Sequence, residues 1–327
     1  MHADHLSGPA ERMADCVETV LAGVAVEHVS AQAGIDPYDL TDAVETYRIA
    51  GRAALHRHQE RSWCQVRVRM PDWAVAEHTF ATQIAPRLDR LDDGQTAWWF
   101  LRKYPHWRLR VRTTDHNAIG ALLDEFVAAG TVHRWQPGIY EPEAAAFGGL
   151  TAMDAIHDLF CTDSRGILAY TRQQTQLGRR ELSLLLITAL RQHAGLDWFE
   201  AGDVFDRVAQ MRPTPPKADA TRVDNLSSNM RPLLTIPVRA DNPLFAPGGP
   251  VAHITPWLDA FIQAGQKLGE AATTGQLSRS LRTVLAHIVL FHWNRLGLPA
   301  QAQGILAHAA KAAVLPGADH GSNYDGA

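Results

Sequence analysis

Hydrophobic and polar residues alternate strictly in two short stretches of the first half of the chain. Residues 62 to 70 read SWCQVRVRM, and residues 106 to 114 read HWRLRVRTT. Because side chains alternate across a strand with period two, each stretch is predicted to form a β-strand with one apolar and one polar face. Most side chains on the polar faces are basic. The role of these strands therefore depends on what the basic faces contact.

The region around these strands repeats strands and helices in a defined order. Apolar residues recur every three or four positions in residues 72 to 91 and 117 to 130, which predicts helices, whereas residues 96 to 104 and 132 to 143 have strand character. The resulting order, βαββαβ, is that of a ferredoxin-like antiparallel sheet. In this topology the first and third strands are central neighbours, and both helices cover the same face.

The opposite face of that sheet is predicted to be open and basic. Alternation places on it the polar residues of the first and third strands, and five of these are arginines: Arg67, Arg69, Arg108, Arg110 and Arg112. Arginines fixed on a rigid sheet are preorganised donors for carbonyl and carboxylate oxygens. The pattern therefore predicts a face that binds something anionic or rich in carbonyl groups.

The predicted fold class of the whole chain is α+β, with four segments. Residues 1 to 60 form a helical N-terminal extension, 61 to 150 the sheet unit, 151 to 314 a helical region packed on it as one catalytic domain, and 315 to 327 a disordered tail. Prolines and polar residues predict a mobile segment at 211 to 225. Periodicity predicts helices in the last half at residues 151 to 161, 164 to 177, 179 to 194, 197 to 211, 255 to 271, 276 to 296 and 299 to 313.

Composition and motifs narrow the chemistry. The formal net charge of the 327-residue chain is -4, so a general attraction to nucleic acid or anionic membranes is not expected. Cys16, Cys64 and Cys161 lack disulfide or metal spacing, and no apolar run has signal-peptide or transmembrane length, which predicts a cytoplasmic protein. There is no glycine loop for a nucleotide and no metal-ligand pattern. Catalysis or binding without a cofactor or metal is therefore expected.

Two nucleic-acid-binding interpretations are disfavoured. Two helices of the N-terminal extension, joined by a glycine turn, resemble a helix-turn-helix, but Asp39, Asp42 and Glu45 make the second one acidic where phosphate contacts require Lys or Arg. The open basic sheet resembles an RNA-recognition module, which carries base-stacking aromatics where this sheet has arginine and glutamine. A small helical subdomain for packing or for holding a peptide is the favoured interpretation of the extension.

Four motifs carry a family resemblance: WWFLRKYPHWRLRVR, GIYEPEAAAFGG, DLFCTDSRGILAY and LAHIVLFHWNRLGL. Together they closely resemble the thiopeptide-type bacteriocin biosynthesis family, which is related to the glutamate-elimination domain of lanthipeptide dehydratases. The resemblance spans roughly residues 60 to 300. Eliminases of this family use two arginines of an HxRxRF motif, a glutamate and a third arginine of ExxRYGG, and a histidine near an NR dipeptide.

The first two family motifs match in part. The resemblance assigns Arg108 and Arg110 to the HxRxRF pair and Glu143 to the glutamate of ExxRYGG. Ala146 stands where that motif has its arginine. A stand-alone eliminase, which makes dehydroalanine by removing glutamate from glutamylated Ser or Thr, is therefore the alternative and not the preferred function.

The last motif leaves a choice between two histidines. It keeps Asn294 and Arg295, with His287 and His292 nearby. The two histidines are five residues apart, which is about 140° around a helix, so both cannot face one site. His292 is preferred for its position beside WNR.

The sequences EPEAAAFGG and FHWNRLGL look like those of the stand-alone pyridine synthases of thiopeptide biosynthesis. That resemblance implies a macrocyclase that joins two dehydroalanines of a thiazole-containing precursor peptide by a formal [4+2] aza-cycloaddition, then releases water and the leader peptide to leave a pyridine. It implies no metal, flavin or nucleotide. The implied partner is the modified precursor peptide, and other maturation enzymes or a second copy of the chain stay open. A non-enzymatic partner that only delivers the precursor is a third hypothesis.

Candidate site residues follow from these motifs. Tyr170 is expected to protonate an amide oxygen with Ser164 as its hydrogen-bond partner, and His292 and Arg108 complete the catalytic set. Ser164 can also be a helix N-cap, and it can converge with Tyr170 only if it lies outside the helix. The expected substrate-binding residues are Arg67, Arg69, Arg110, Arg112, Glu143, Asn294 and Trp99, the last as a stacking surface for thiazole.

Overall fold

A computed structural model describes residues 9–60, 62–91, 96–172, 177–216, 220–239, 242–246 and 248–315, with side chains from residue 11 and excluding those of 52–60. The chain divides into two compact units, Met1–Ser62 and Trp63–Ala327. The predicted tail lies outside the described residues from position 316 onward.

The N-terminal unit consists of helices in its described part. They are α1 (Pro9–Leu21), α2 (Val26–Ala33) and α3 (Pro37–Glu60). Their apolar stripes meet in a small core of Val17, Val29, Leu40 and Val44. Helix α2 ends at Gly34, whose φ of 65° lies in the left-handed region that glycine adopts without steric cost.

The second unit contains a four-stranded antiparallel sheet in the order β2-β3-β1-β4. The strands are β1 (Trp63–Arg69), β2 (Ala97–Lys103), β3 (His106–Arg112) and β4 (Arg134–Gly138). Strands β1 and β3 are therefore central neighbours, and β2 joins β3 through Tyr104 and a cis Pro105. The helical segments between strands are α4 (Ala76–Thr79), a π-helical turn (Phe80–Ile84), α5 (Ala85–Leu88) and α6 (His116–Ala128).

One face of the sheet is apolar and meets these helical segments. Val66 and Val68 of β1 and Leu109 of β3 are buried on it. Phe80 of the π-helical turn stacks on Trp107 with ring centroids 4.7 Å apart. Both central strands therefore turn their apolar residues toward the helical segments, as the alternation in the sequence predicts.

The opposite face is not open along its whole width, as the sequence had suggested. Helices α7 (Leu150–Tyr170) and α12 (Leu281–Leu296) pack against β2, because β2 presents Trp99 and Leu101 on this face instead of basic side chains. The arginine face therefore stays exposed mainly on the β1 and β4 side, where Arg67 and Arg134 are exposed.

The C-terminal half is helical. Its further helices are α8 (Arg179–His193), α9 (Trp198–Gln210), α10 (Ala220–Thr235), α11 (Thr255–Thr273) and α13 (Ala300–Val314). The prediction of a mobile segment was wrong beyond residue 219, because α10 forms there and buries Met230 and Leu234. No helix in the described part of the chain is long and apolar enough to cross a membrane.

Helix α7 is continuous where the sequence predicted two helices. The Ser164 hydroxyl donates to the Phe160 carbonyl oxygen at 2.8 Å. The side chain of this residue, which often caps helices, is therefore hydrogen-bonded within the helix. Gly166 allows the helix to approach Trp257 of α11, since a Cβ atom at this glycine would lie 2.3 Å from the indole. The helix therefore continues through Ser164, where the sequence suggested a new start.

Candidate active site

Like charges face each other across the exposed part of the sheet. Arg67 of β1 lies opposite Arg108 of β3, and Arg69 lies opposite Arg134 of β4. Like charges in such cross-strand pairs destabilise a sheet. The set, which we name the arginine stripe, consists of Arg67, Arg69, Arg108, Arg112 and Arg134. No described carboxylate forms an ion pair with any of them.

The stripe also changes the pKa of His106, the first residue of β3. Desolvation and the positive charges of Arg134 and Arg69 lower the pKa of His106. Its imidazole is therefore harder to protonate than that of a free histidine. A surface with this much uncompensated charge favours an anionic ligand.

Arg110 is the buried member of the basic row. It is 3% exposed, and its guanidinium carbon lies 4.1 Å from the Trp99 ring centroid and 5.8 Å from that of Tyr140. Its Nε and Nη1 atoms have no hydrogen-bond partner among the described residues. Burial lowers the pKa of Arg110 to about 10, so the group is still charged at neutral pH. A buried guanidinium with free N–H groups is a site for an oxygen acceptor.

Tyr140 and His157 form a hydrogen-bonded pair next to Arg110. The Tyr140 hydroxyl lies 2.5 Å from His157 Nε2, and the centroid of the Trp63 ring lies 4.6 Å from that of the imidazole. Burial, with added repulsion from Arg112 and Arg110, lowers the pKa of His157 to about 4. The imidazole is thus neutral at pH 7 and can accept the tyrosine proton.

Sequence reasoning did not select Tyr140 or His157. Tyr140 lies inside the GIYEPEAAAFGG motif, three residues before Glu143, so its motif was a signal that could have identified it. His157 had no such signal, because it lies between Asp154 and Asp158 in α7 and belongs to none of the four motifs. Only the packing of α7 on the sheet brings it to Tyr140.

Glu143 and Trp99 lie beside Arg110 in different ways. Glu143 is exposed and forms no ion pair within the described residues, but its charge opposes the burial that lowers the pKa of Arg110. Trp99 is 2% exposed. Its ring therefore supports Arg110 and is not open to a thiazole in this structure.

His292 lies in a separate buried network. Its Nδ1 is 2.9 Å from Asp163 Oδ1, and its Nε2 is 3.0 Å from the Ser183 hydroxyl. The Asp163 carboxylate also accepts from Arg295 Nε at 2.5 Å and from Trp257 Nε1 at 2.9 Å. His292, Asp163 and Arg295 are fully buried. The network therefore joins α7, α8, α11 and α12, and His292 has no free ring nitrogen.

Ser164, Tyr170 and Asn294 do not converge with Arg108. The Ser164 hydroxyl is buried and accepts the Phe100 N–H of edge strand β2 at 3.2 Å. Ser164 lies inside α7, and six residues separate it from Tyr170, which places them about 120° apart around the helix. Tyr170 donates to the Leu177 carbonyl at 2.8 Å, and Asn294 Oδ1 accepts from a glutamine amide. The structure thus places Arg110 beside Tyr140 and Arg108 in the arginine stripe, and it leaves the other predicted catalytic residues elsewhere.

The second unit is thus an α+β fold with a four-stranded antiparallel sheet that carries arginines on one face. Residues 63–314 match the family model of the lantibiotic biosynthesis dehydratase C-terminal region. The chain belongs to this family.

Two solved structures are similar to the chain. The tRNA-dependent lantibiotic dehydratase MibB from Microbispora sp. 107891 is 22% identical with a TM-score of 0.56, and the match covers 77% of this chain and 28% of that one. The pyridine synthase TbtD from thiomuracin biosynthesis is 16% identical with a TM-score of 0.47, and the match covers 77% of this chain and 97% of that one. The chain thus spans less than a third of MibB, with which it shares a fold. No curated protein matches the chain.

Proposed function

We propose that the chain is a tailoring enzyme of ribosomally made peptides that forms a pyridine ring by a formal [4+2] aza-cycloaddition between two dehydroalanines, without a cofactor. The observation that carries this proposal is the buried guanidinium of Arg110, with free N–H groups, beside the hydrogen-bonded Tyr140 and His157. Family membership and the sequence motifs support it. We also propose that the sheet unit is ferredoxin-like, which its strand order supports.

The chemistry requires an amide to rearrange to its imidic acid, and the site offers groups for this step. The amide N–H proton passes to Tyr140 Oη as the Tyr140 proton passes to His157 Nε2. The proton on Tyr140 Oη then passes to the carbonyl oxygen as His157 returns its proton to Tyr140, which completes the tautomerisation with no net proton consumed. The N–H groups of Arg110 stabilise the negative charge that develops on the oxygen. Holding the two alkenes together supplies a further contribution of about 7 to 11 kcal/mol.

The arginine stripe holds the remainder of the precursor in this proposal. Its guanidinium groups are donors for acidic side chains of a leader peptide, and charge-assisted hydrogen bonds are about twice as strong as neutral ones. The like-charge pairs Arg67–Arg108 and Arg69–Arg134 are then relieved when the peptide binds. Binding energy from the leader is thereby available to place the core at Arg110.

Incubation of the purified protein with a leader-bearing peptide that contains thiazoles and two dehydroalanines tests the proposal. Mass spectrometry is expected to show intact released leader and a core lighter by water plus leader, with no added cofactor. Arg110→Lys keeps the charge but not the planar fork, and it should slow the reaction, whereas Arg90→Lys on the surface should not. Unchanged peptide with the wild-type protein contradicts the proposal.

Glutamate elimination is the second candidate function. Arg108 and Arg110 match the eliminase motif, and the unpartnered N–H groups of Arg110 would equally donate hydrogen bonds to the carboxylate of a glutamyl ester. A glutamylated precursor that loses glutamate while the dehydroalanine peptide stays unchanged would establish it. If the protein binds both peptides and converts neither, it acts as a delivery partner.

A further inference from the structure

Four flat groups lie in a continuous row between the buried network and the sheet. The Arg295 guanidinium lies 4.0 Å from the Phe160 ring centroid. Phe160 contacts Trp99 with centroids 4.9 Å apart, and Arg110 lies 4.1 Å from Trp99. The row thus extends from α12 through α7 and β2 to β3.

Asp163 fixes the inner end of this row. Its carboxylate binds Arg295 Nε at 2.5 Å and is itself held by Trp257 and His292. Burial raises the pKa of Asp163, but the charges and hydrogen bonds of His292 and Arg295 outweigh it and lower the pKa overall. The carboxylate is thus ionised and pairs with a guanidinium that has no water contact.

The outer end of the row has no comparable anchor. Arg110 forms no ion pair with a described carboxylate, and its Nε and Nη1 atoms are unpartnered. Its pose therefore depends on ring contacts, and the Trp99 ring is closer to the guanidinium than the Tyr140 ring. Phe160 cannot move away from Trp99 freely, because Phe291 stacks on it at 5.4 Å and an interplanar angle of 9°.

We infer that Asp163 is a positioning residue for Arg110 and acts through Arg295, Phe160 and Trp99. The carboxylate holds Arg295 against Phe160, and Phe160 holds the Trp99 ring that orients the Arg110 guanidinium. This inference rests on the proposed function only where it concerns the peptide, because the pose of Arg110 is measurable without substrate. It also gives the fully buried Asp163–His292–Arg295 network a role at a site that it does not touch.

Selective labelling of arginine side chains for NMR tests the inference in the full chain. Protons above an aromatic ring shift upfield, so the Arg110 side chain, assigned through Arg110→Lys, should be upfield of free arginine. Phe160→Leu keeps an apolar side chain but removes the ring between Arg295 and Trp99, and it should return the Arg110 signal toward the free position. Phe205→Leu, an equally buried phenylalanine of α9, is the matched control and should leave the signal in place.

The carboxylate is tested with Asp163→Asn, which should shift the Arg110 signal in the same direction. Should that variant fail to fold, Arg295→Lys replaces it, since lysine keeps a cation beside Asp163 but loses the plane that lies on Phe160. An Arg110 signal that is unchanged in Phe160→Leu overturns the inference. A signal that is unchanged in Asp163→Asn, or in Arg295→Lys where that variant replaces it, also overturns the inference. Peptide affinity is measured separately and should weaken about fivefold in Phe160→Leu. A shifted Arg110 signal with unchanged affinity keeps the inference and counts against the proposed function.

Discussion

At the scale of single residues, hydrogen-bond partners decide which buried histidine can take part in chemistry. His287 and His292 attracted attention because they lie near an NR dipeptide, yet His292 is enclosed by Asp163 and Ser183. His157 carries no motif, but its Nε2 faces a tyrosine beside the buried Arg110. Sequence spacing describes neighbours along a helix, whereas a site is defined by groups from different elements.

The buried His157 is expected to make stability depend on pH. Its folded pKa of about 4 lies below the ordinary value of 6.5, so the unfolded chain takes up a proton over this range that the folded chain does not. The contribution of His157 to the free energy of unfolding should be fully present above pH 6.5. It should be lost as the pH drops to 4, by up to about 3 kcal/mol. Urea unfolding at several pH values in this window, with His157→Gln, should show a flatter dependence in the variant.

The control for this titration is His116→Gln, because His116 is exposed at the start of α6. It should retain the wild-type slope. Identical slopes in wild type, His116→Gln and His157→Gln would contradict the assignment of the pH dependence to His157.

Tyr140→Phe tests the proton transfer directly. The change removes one hydroxyl and leaves the ring beside Arg110, so peptide affinity should change less than about twofold. Turnover should fall by about 10²-fold or more, which is typical of a lost proton-transfer group. Single-turnover kinetics with the dehydroalanine peptide measures this, and Tyr104→Phe, at 79% exposure, is the control. Full turnover in Tyr140→Phe would exclude a role for this hydroxyl in proton transfer.

At the scale of elements, the short-range pattern predicted the strands well and the helices of the second half less completely. Alternation identified β1 and β3, including which residues face the helices. It divided α7 into two helices because Ser164 resembles a helix N-cap, whereas its hydroxyl bonds the Phe160 carbonyl within the helix and accepts the Phe100 N–H of β2, a tertiary contact that the pattern does not show. Helix α10 was missed since its internal Pro232 and polar residues suppress the local signal.

Ser164→Ala is expected to lower stability through the edge of the sheet. The Ser164 hydroxyl accepts the Phe100 N–H of β2, and its loss leaves a buried donor unsatisfied at a cost of about 1 to 3 kcal/mol. Chemical unfolding measures this, with Ser228→Ala on α10 as an exposed control. Turnover per folded molecule tests the catalytic role that the sequence predicted, and a large loss at unchanged stability would support that role.

At the scale of the whole molecule, the site is assembled from distant parts of the chain. Trp99 and Arg110 come from neighbouring strands, Tyr140 follows β4, and His157 lies on the helix that crosses the sheet. The basic row was predictable, because it depends only on period two. The Tyr140–His157 pair and the row from Asp163 to Arg110 were not, since they depend on how α7 and α12 pack against β2.

The charge of the whole molecule predicts how precursor binding responds to salt. The net charge of -4 gives no general attraction for an acidic leader, so under the proposed function leader binding comes from the arginine stripe, in which Arg67, Arg112 and Arg134 are exposed. Exposed charges are screened over about 8 Å at physiological ionic strength, and affinity for an acidic leader should therefore fall steeply as salt rises. The double variant Arg67→Gln, Arg69→Gln should bind more weakly at low salt and show a shallower salt dependence. Titration calorimetry across a salt series measures the affinity and its salt dependence. The double variant Arg87→Gln, Arg90→Gln removes the same charge and is the control. Equal salt dependence in the two double variants would place leader binding away from the stripe.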